Sequence, residues 1–566
     1  MPALKDKIKQ LLKDIDKFSN YGSGLALRNY QLDPALAIVD SVIRKKGLSF
    51  VIIFPRQSGK NELQAQIQTY LLTIFSMLDA EMVSVSPTWK PQAYNAMARL
   101  ERVLGSNLIS RDMWEKHRDY IYRVGKSRIY FLSGSPTASI VGATANLLLS
   151  IDEAQDIQID KYDRDIAPMA ASTNATRVFW GTAWTSNTLL AREERTARFL
   201  QNQDGIQRVW RLTCDQVAAE VLPYGQFVAE QVAKLGRNHP MVRTQYYSED
   251  IDSEGGLFPP ERLSLLYGIH PPQIKPQPAQ VYVMSLDLAG EDEKDGLAPD
   301  QLANPARDAT ALTIARVNTK TLSDPGLLLP SYEIVYRQQW VGVKHTTIYA
   351  QILSLATTWN IKYLVCDSTG VGAGLTAFLA RSLGNKVIPF QFNSRTKSDL
   401  GWSFLSLIDT GRLKTYSVPD QRQAECPQGT SEQCQAAGAA GQATPAHEVP
   451  VQGECHELSG LMSHQRSAKA QESLAGENHP SHLTKLHSTF FRQLEHCQYE
   501  IIPGPDKKIK WSVPDGTRDP ATGELIHDDL IISTAMLSVL DQQPWSITGL
   551  AAVVKATDPL DDMKAF

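Results

Sequence analysis

The sequence contains few cysteines and no long apolar run, and each of these shortages excludes a class of protein. Six cysteines stand among 566 residues, and none are spaced as Cys-x-x-Cys. So few thiols in so long a chain argue against a disulfide-stapled secreted protein and for a reducing compartment. No stretch reaches the apolar length of a membrane span, and the N-terminal residues do not form a signal-peptide pattern. We therefore expect a cytoplasmic protein without a membrane partner.

Neither positive nor negative charge is present in large excess. The formal net charge is −4, so any contact with nucleic acid must come from local basic patches rather than from the overall charge. This balance disfavours a protein that only coats nucleic acid and is compatible with an enzyme that has a small basic channel. The chain is longer than one hydrophobic core supports, so two or three domains are expected.

The first half of the chain alternates short apolar runs with helical stretches over residues 48–215. This alternation is typical of βαβ units and predicts an α/β domain with a mostly parallel sheet and helices on both faces. Residues 1–47 form a predicted helical region, in which Leu11, Leu12 and Ile15 recur at helical spacing and favour packing on the next domain over a membrane-surface role. The predicted strands are LSFVIIF, AEMVSVS, SRIYFLSG, NLLLSIDEA and TRVFWGTA.

A second strand-rich region spans residues 281–545, after a predicted helical connector over 216–280 that ends in an acidic and Pro-rich linker. Three apolar runs are followed by a helical run and a fourth apolar run. This order predicts the opening of a ribonuclease-H-like mixed sheet. In chain order the five runs are VYVMSLDLAG, DATALTIARV, PSYEIVYRQQWVG, HTTIYAQILSLATTW and IKYLVCD.

Residues 421–482 interrupt this pattern, because they are rich in Ala, Gly, Gln and Pro and low in large apolar residues. They predict a flexible insertion in the second domain, and residues 546–566 form a C-terminal tail. A zinc site in the insertion is disfavoured, because its cysteines and histidines fit no common zinc spacing. These residues are Cys426, Cys434, Cys455, His447, His456 and His464.

A candidate phosphate loop ends at Gly59 and Lys60, after the strand FVIIF and before the helical run NELQAQIQTYLLTIF. Such a loop directs backbone N–H groups and a helix N-terminus at phosphates, with a lysine on the β and γ oxygens. The strict G-x-x-x-x-G-K-[ST] pattern fails at Phe54 and Asn61. The candidate ATP-binding residues of this loop are Gln57, Ser58, Gly59, Lys60 and Asn61.

A second motif supports an ATPase with Mg²⁺. In LLLSIDEA an apolar strand ends at Asp152, suited to hold Mg²⁺ through water, and at Glu153, suited to polarise the attacking water. The alternative is a buried strand that ends in an exposed Asp-Glu turn. Arg56, beside the loop, either neutralises the γ-phosphate or is a surface arginine.

The second half contains acids where a two-metal nuclease needs them. Two-metal cleavage of a phosphodiester requires carboxylates that converge on two Mg²⁺ or Mn²⁺ ions, and a ribonuclease-H-like fold supplies them from the first strand, the fourth strand and a late helix. Asp287 and Asp367 end those two predicted strands, and Asp528 and Asp529 open the helical run LIISTAMLSVL, where a helix N-terminus favours anions. Each aspartate alone is explained as a strand-end or capping residue. Together they predict a nuclease.

These motifs resemble a known family. The Arg-Gln-Ser-Gly-Lys-Asn loop, the Asp-Glu strand end and the run Gly181-Thr182-Ala183 resemble the large subunit of the terminases of tailed double-stranded DNA viruses. That family commonly carries a deviant loop with Arg in place of early glycines. Leu27-Arg28-Asn29-Tyr30-Gln31 resembles its adenine-contacting segment, although an ordinary helix start explains these residues too. The resemblance implies ATP contacts for Arg28, Tyr30 and Gln31, and a coupling role for Gly181 and Thr182.

The second half resembles the family in the runs DLAG, CDSTGVG, NSRTKSDLGWSFLSLIDTGRLK and HDDLIIS, in the family's order. His527 is expected either to support metal or product or to cap a helix. Lys397 and Arg395 are expected either to contact the DNA backbone or to lie in a solvated loop. The resemblance implies metal ligation by Asp287, Asp367 and the Asp528-Asp529 pair, of which Asp529 is favoured as the direct ligand, and an accessory role for Asp308.

The resemblance implies a motor that uses ATP to move double-stranded DNA into a procapsid and an endonuclease that cuts concatemers. It also implies a homo-oligomeric ring, a portal protein, a small terminase subunit and the host cytoplasm. Arg99, Arg102 and Arg111 are candidates for an arginine acting on a neighbouring subunit, or are surface charges. The alternatives are a helicase-nuclease of DNA repair, disfavoured because no Q-x-x-G-R-x-x-R run follows residue 216, and a decayed prophage protein retained as a DNA-binding scaffold.

Overall fold

The computed structural model describes residues 9–140, 142–252, 254–291, 307–324, 327–418, 480–502, 504–520 and 522–545. The predicted insertion 421–482, apart from 480–482, and the predicted tail 546–566 lie outside these ranges, as do the cysteines and histidines considered for zinc. Within the described ranges, no helix combines the length and the apolar character needed to cross a bilayer.

The first half is built on an eight-stranded sheet. Its strands are β1 Ser49–Ile53, β2 Glu81–Ser86, β3 Trp114–His117, β4 Ile121–Val124, β5 Ser127–Ser133, β6 Leu148–Ile151, β7 Thr176–Gly181 and β8 Val209–Arg211. They are arranged in the order β3-β4-β5-β2-β6-β7-β1-β8, and every pairing from β5 to β8 is parallel. Strands β3 and β4 add an antiparallel edge that the sequence analysis did not predict. The predicted mostly parallel sheet is confirmed.

Helices cover both faces of this sheet because the residues of β1 alternate in direction. Phe50 and Ile52 lie in one buried cluster with Leu63, whereas Val51 lies in a second cluster with Leu189 on the opposite face. Ile15 is also buried in the first cluster. The α-helices of this half are α1 Ile15–Lys17, α2 Asn29–Ile43, α3 Lys60–Ile74, α4 Tyr94–Ser106, α5 Ile159–Lys161 and α6 Leu189–Asp204.

The segment 216–280 is folded onto both halves. Tyr224 and Val242 are buried in the core of the first half, and Ile251 and Phe258 are buried in the core of the second. This acidic and Pro-rich segment therefore contains enough apolar side chains to anchor its backbone on the cores of both halves. The elements from this region are α7 Cys214–Glu220, α8 Leu222–Leu235, α9 Pro240–Gln245, β9 Glu254–Gly256 and α10 Pro260–Ser264.

The second half is built on a six-stranded mixed sheet. Its strands are β10 Val281–Asp287, β11 Ala309–Asn318, β12 Ser331–Val341, β13 Tyr363–Asp367, β14 Val387–Phe390 and β15 Leu413–Lys414, in the order β14-β13-β10-β11-β12-β15. Strands β10, β11 and β12 form an antiparallel meander, and β13 returns parallel to β10. Strands β14 and β15 are parallel to β13 and β12. The predicted mixed sheet is confirmed, and the structure adds that the fourth strand lies beside the first.

The helices of the second half are α11 His345–Thr358, α12 Gly372–Leu383, α13 Ser394–Asp409, α14 Pro480–His496 and α15 Asp529–Ala535. A hairpin of β16 Gln498–Ile501 and β17 Ile509–Ser512 pairs with β9 in a small antiparallel sheet. Short 3₁₀ or π turns occupy Phe18–Gly22, Trp89–Ala93, Ala154–Asp156, Tyr162–Ile166, Ala167–Ala170, Lys320–Ser323, Gly384–Lys386 and Met536–Gln542.

Candidate functional sites

The loop between β1 and α3 turns through two residues with left-handed backbone conformations. Gln57 and Gly59 adopt left-handed conformations, with φ of 64° and 91°. A side chain at Gly59 would also collide with a neighbour, because its Cβ would lie 2.7 Å from Gln31 Nε2. Lys60 is the first residue of α3, so its backbone N–H lies at a helix N-terminus, where anions are favoured.

The predicted acidic residues meet this lysine. Lys60 Nζ donates to Glu153 Oε1 at 2.6 Å, and Gln64 Nε2 donates to Asp152 Oδ1 at 2.9 Å. Burial and the neighbouring charge of Glu153 raise the pKa of Asp152 to about 6. Burial also pushes the pKa of Glu153 upward, but the charge and hydrogen bond of Lys60 and the hydrogen bond of Gln155 outweigh it and lower that pKa. The site therefore favours an ionised Glu153.

Gln155, which the sequence analysis missed, joins the acidic strand end to the predicted coupling segment. Its Nε2 donates to Glu153 Oε2 at 2.6 Å and to Asp156 Oδ2 at 3.2 Å, and its Oε1 accepts from the backbone N–H of Thr182 at 3.2 Å. Gly181 precedes Thr182 at the end of β7 and leaves room for this amide. The signal was its position two residues after Glu153 in SIDEAQD.

The predicted adenine-contacting residues hold the loop backbone. Tyr30 donates its hydroxyl to the carbonyl of Ser58 at 2.8 Å, and Gln31 Nε2 donates to the carbonyl of Gly59 at 3.1 Å. Arg28 donates to the Tyr30 hydroxyl at 2.6 Å and to the Ser58 carbonyl at 3.3 Å. All three side chains therefore lie at the candidate phosphate loop.

A cavity of about 990 Å³ opens over these groups, at the upper end of the range of about 300–1,000 Å³ for small-molecule sites. The exposed side chain of Arg56 lines it, while Tyr224 of α8 donates its hydroxyl to the Arg56 carbonyl at 3.1 Å. The other residues of the cavity wall that were predicted to act here are Arg28, Gln57, Gly59, Lys60, Asn61, Asp152, Glu153 and Thr182.

Two of the three candidate arginines for a neighbouring subunit face this same cavity. Arg99 donates to Glu62 Oε2 at 2.8 Å, and Arg102 forms an ion pair with the same carboxylate oxygen. Arg111 instead pairs with Asp112 at 3.3 Å and is not among the residues that line the cavity.

The acids of the second half gather at one end of the mixed sheet. Asp287 and Asp367 end adjacent parallel strands, because Leu286 is paired with Cys366. Asp529, the first residue of α15, accepts from the backbone N–H of Ala309 at 3.0 Å. The acids predicted from two strands and one late helix are therefore brought together.

Burial and mutual repulsion set the protonation of this group. Burial, followed by the charges of Asp529, Asp367 and Asp528, raises the pKa of Asp287 well above its ordinary value, against the opposing charge of Lys397. Burial raises the pKa of Asp529 to about 8, against hydrogen bonds from Ala309 and Gln339. Burial also raises the pKa of Asp367 and of Asp528. Buried like charges of this kind are typical of a site that binds a cation.

The remaining predicted residues surround this group. Asp308 accepts an ion-pair contact from His527 Nδ1 at 2.7 Å, whereas the residue that caps α15 is Asp528. Lys397 Nζ lies 3.7 Å from Asp528 Oδ2. Arg395 is exposed and lies 3.8 Å from Asp399. Of the two basic residues, Lys397 is therefore the one that faces the acids.

The donor atoms of this group fit a divalent cation, because carboxylate oxygens are the ligands that Mg²⁺ and Mn²⁺ prefer. In the part of the chain that the structure describes, however, no three His, Cys, Asp or Glu side chains are grouped closely enough to hold a metal ion. The chemistry of these side chains suits the cation, while their spacing among the described residues is wider than a metal site needs.

No protein-family model matches this sequence, and no curated protein matches it. Among solved structures, the HK97 bacteriophage large terminase is 12% identical over 94% of this chain and 98% of its own, with a TM-score of 0.36. The large terminase nuclease from thermophilic phage G20c with bound magnesium is 13% identical over 50% and 96%, with a TM-score of 0.27. A mutant ATPase domain of the Thermus phage P74-26 large terminase is 17% identical over 42% and 98%, with a TM-score of 0.32.

Proposed function

We propose that this chain is a viral terminase large subunit, which uses ATP to move double-stranded DNA into a procapsid and cuts concatemeric DNA with a metal-dependent nuclease. The observation that carries the proposal is the presence of two separate acidic sites in one chain. One is the Lys60–Glu153 pair at a phosphate loop, and the other is the electrostatically coupled group of Asp287, Asp367 and Asp529.

In the first site the ion pair of Lys60 and Glu153 separates during the reaction, and each residue takes a new partner. Lys60 Nζ is bound to Glu153 Oε1, and a triphosphate on the loop supplies anionic oxygens that compete for the same ammonium. When Lys60 turns to the phosphate, Glu153 is released to accept a proton from the attacking water. Asp152 would hold the Mg²⁺ that accompanies the nucleotide, and Arg56 would offset charge on the γ-phosphate.

The surrounding residues adapt the site to ATP. The phosphates lie within the loop formed by Gln57, Ser58, Gly59 and Asn61. This loop is held beside the base by Arg28, Tyr30 and Gln31. Gly181 and Thr182 report hydrolysis to the rest of the chain, because Thr182 shares Gln155 with Glu153.

In the second site Asp287, Asp367 and Asp529 would hold divalent cations, and Asp528 and Asp308 would act as accessory acids. When bound, such a pair of cations stabilises the attacking and the leaving oxygen of the phosphodiester. The chain's own contribution is to gather the carboxylates and to balance them with Lys397, which acts on both Asp287 and Asp528. Lys397 would also contact the DNA backbone.

The two proposed activities belong to separate segments of the chain. We assign the ATPase to residues 48–215 with the adenine-contacting region 1–47, and the nuclease to 281–545, joined by the connector 216–280. The partners are double-stranded DNA, further copies of the chain in a ring, a portal protein and a small terminase subunit, in the cytoplasm of the host cell.

Two activities measured side by side test this proposal. We expect the wild-type chain to hydrolyse ATP and to cut plasmid DNA with Mg²⁺ or Mn²⁺. Asp367→Ala should abolish only cutting, and Lys60→Ala should abolish ATP hydrolysis, so that each variant serves as the folding control for the other. A wild-type chain that hydrolyses ATP but cuts neither linear nor supercoiled DNA with either metal would remove the nuclease assignment and favour a helicase or an inactive relic.

A further inference from the structure

A lysine from the second half of the chain lies in the cavity of the first half. Lys507 precedes β17, and its Nζ donates to Asp156 Oδ1 at 2.9 Å and lies 4.4 Å from the ring centroid of Trp184. The two side chains of this ion pair are 13% and 6% exposed. Lys507 lines the same cavity as Lys60 and Glu153. A largely buried charge of the second half thus lies in the nucleotide site proposed for the first.

The backbone around Lys507 is held in place. Lys507 has a φ of 53°, a left-handed conformation that costs a non-glycine residue about 1–3 kcal/mol and persists only where the surroundings impose it. Helix α13 supplies those surroundings. Trp402 Nε1 donates to the Lys507 carbonyl at 3.0 Å, and Ser398 Oγ accepts from the backbone N–H of Ile509 at 3.0 Å.

Asp156 connects this lysine to the candidate catalytic carboxylate. Gln155 uses its one amide nitrogen to bind Asp156 Oδ2 and Glu153 Oε2, and Lys60 binds the other oxygen of Glu153. The contacts therefore run without a gap from Lys507 through Asp156 and Gln155 to Glu153. Because Gln155 is shared, removing the charge on either side of it changes how firmly Glu153 is oriented.

We propose that Lys507 is a positioning residue of ATP hydrolysis, supplied by the hairpin of β16 and β17 and acting through Asp156 and Gln155 on Glu153. The inference rests on the proposed function of the Lys60 site. It adds that fast hydrolysis requires the second half to be docked on the first, so that contact between the halves regulates the ATPase.

Steady-state ATP hydrolysis by the full-length chain tests this role. Lys507→Met keeps the aliphatic stem against Trp184 but removes the charge, and we expect kcat to fall about tenfold, because small displacements of a catalytic group have effects of this size. KM should change by less than about threefold, since the triphosphate is bound by other groups. Lys507→Arg should restore most of the loss. Lys508→Met is the matched control, because Lys508 pairs with the exposed Asp506 at 3.0 Å.

A second variant, Asp156→Asn, reaches the same contact from the other half and serves if Lys507→Met does not fold. We expect a similar loss of kcat and no further loss in the double variant, because coupled residues are not additive. The inference is overturned if Lys507→Met matches Lys508→Met, or if the two losses multiply. A wild-type chain without ATP hydrolysis would instead reject the proposed function itself.

Discussion

At the scale of single residues, Glu153 is held more tightly than a strand-end turn requires. Its two carboxylate oxygens have different partners, Lys60 on one and Gln155 on the other. Its backbone has a φ of 45°, in the left-handed region where a non-glycine residue stores about 1–3 kcal/mol. Strain of this kind persists where a side chain must point in one direction. The charge of Glu153, and not only its shape, is therefore the feature to test.

Glu153→Gln keeps the shape of the side chain and removes its ability to accept a proton from water. We expect kcat for ATP hydrolysis to fall by about 100-fold or more, the usual contribution of a general base. The affinity for ATP should be kept, because Lys60 is released from its ion pair and remains free to bind phosphate. Turnover and nucleotide titration measure the two quantities. Glu115→Gln, on the exposed face of β3, is the control, and equal turnover in both variants would exclude the role of Glu153.

The histidine at the start of α9 makes stability depend on pH. His239 accepts from the backbone N–H of Met241 at 3.2 Å through Nδ1, and its Nε2 lies 3.1 Å from the Trp402 carbonyl, so the neutral ring fits the site. Burial lowers the pKa of His239 to about 4, although the Trp402 carbonyl opposes this. The unfolded chain has a higher pKa, near 6.5. The stabilisation is therefore complete above about pH 6.5 and is lost as the pH falls toward 4.

We expect the melting temperature of the wild-type chain to fall more steeply between pH 6.5 and 4 than that of His239→Gln. A pKa shift of this size corresponds to at most about 3 kcal/mol at the acidic end. His487, whose pKa burial also lowers to about 4, is present in both proteins and cancels in the comparison. The exposed His117, replaced in His117→Gln, is the control. Parallel pH profiles for wild type and His239→Gln would contradict the prediction.

At the scale of elements, the sequence predicts the main strands and the type of each sheet. It does not predict contacts between residues that are far apart in the chain. The sequence predicts the mostly parallel sheet that contains β1 and β6, and such a sheet places the carboxyl ends of its strands at one edge. The hairpin of β3 and β4 was missed, because Trp114–His117 is largely exposed and lacks the alternation that marks a strand. Lys507 was missed because nothing in its own surroundings indicates Asp156 as its partner.

A substitution at Gly181, at the end of β7, tests whether ATP hydrolysis needs the space that this glycine leaves for Gln155. In Gly181→Ala the new Cβ would lie 2.5 Å from Leu190 Cδ2 and closer still to Gln155 Oε1. We expect Gln155 to be displaced from Glu153 and kcat for ATP hydrolysis to fall about tenfold, with ATP affinity kept. Crowding of this kind also costs about 1–3 kcal/mol of stability, which a melting curve measures.

Gly105→Ala is the matched control for this prediction. It lies near the end of α4, and a Cβ there would meet nothing within 4 Å. Alanine in a helix is favoured over glycine by about 0.5–1 kcal/mol, so this variant should melt slightly higher and hydrolyse ATP normally. If both variants hydrolyse ATP equally well, the contact between β7 and Gln155 has no part in turnover.

At the scale of the whole molecule, the connector 216–280 packs against the hydrophobic cores of both halves. Arg262 of α10 donates to both carboxylate oxygens of Asp409 in α13, at 2.7 and 3.1 Å, and to the Leu257 carbonyl at 2.7 Å. The acidic and Pro-rich text of this segment predicts a linker because such residues are usually solvated. It is packed instead, since a few apolar anchors and this ion pair hold it.

The stability of the molecule should depend on that ion pair far more than on a surface pair. The Arg262 and Asp409 side chains are 12% and 1% exposed, so Arg262→Met leaves a buried carboxylate without a partner, which typically costs about 3–5 kcal/mol. Arg395→Met removes an exposed pair from the same helix α13 and should cost at most about 1 kcal/mol. Melting curves at neutral pH compare the two variants directly.

A double variant separates lost charge pairing from lost packing. Replacing both partners, in Arg262→Met with Asp409→Leu, removes the uncompensated charge and keeps apolar volume in its place, and such replacements are often neutral. We therefore expect the double variant to melt above Arg262→Met alone. If it melts lower, the two side chains stabilise the connector through packing and hydrogen bonds such as the one to the Leu257 carbonyl. If Arg262→Met melts like Arg395→Met, the connector is held on the second half by its apolar anchors alone.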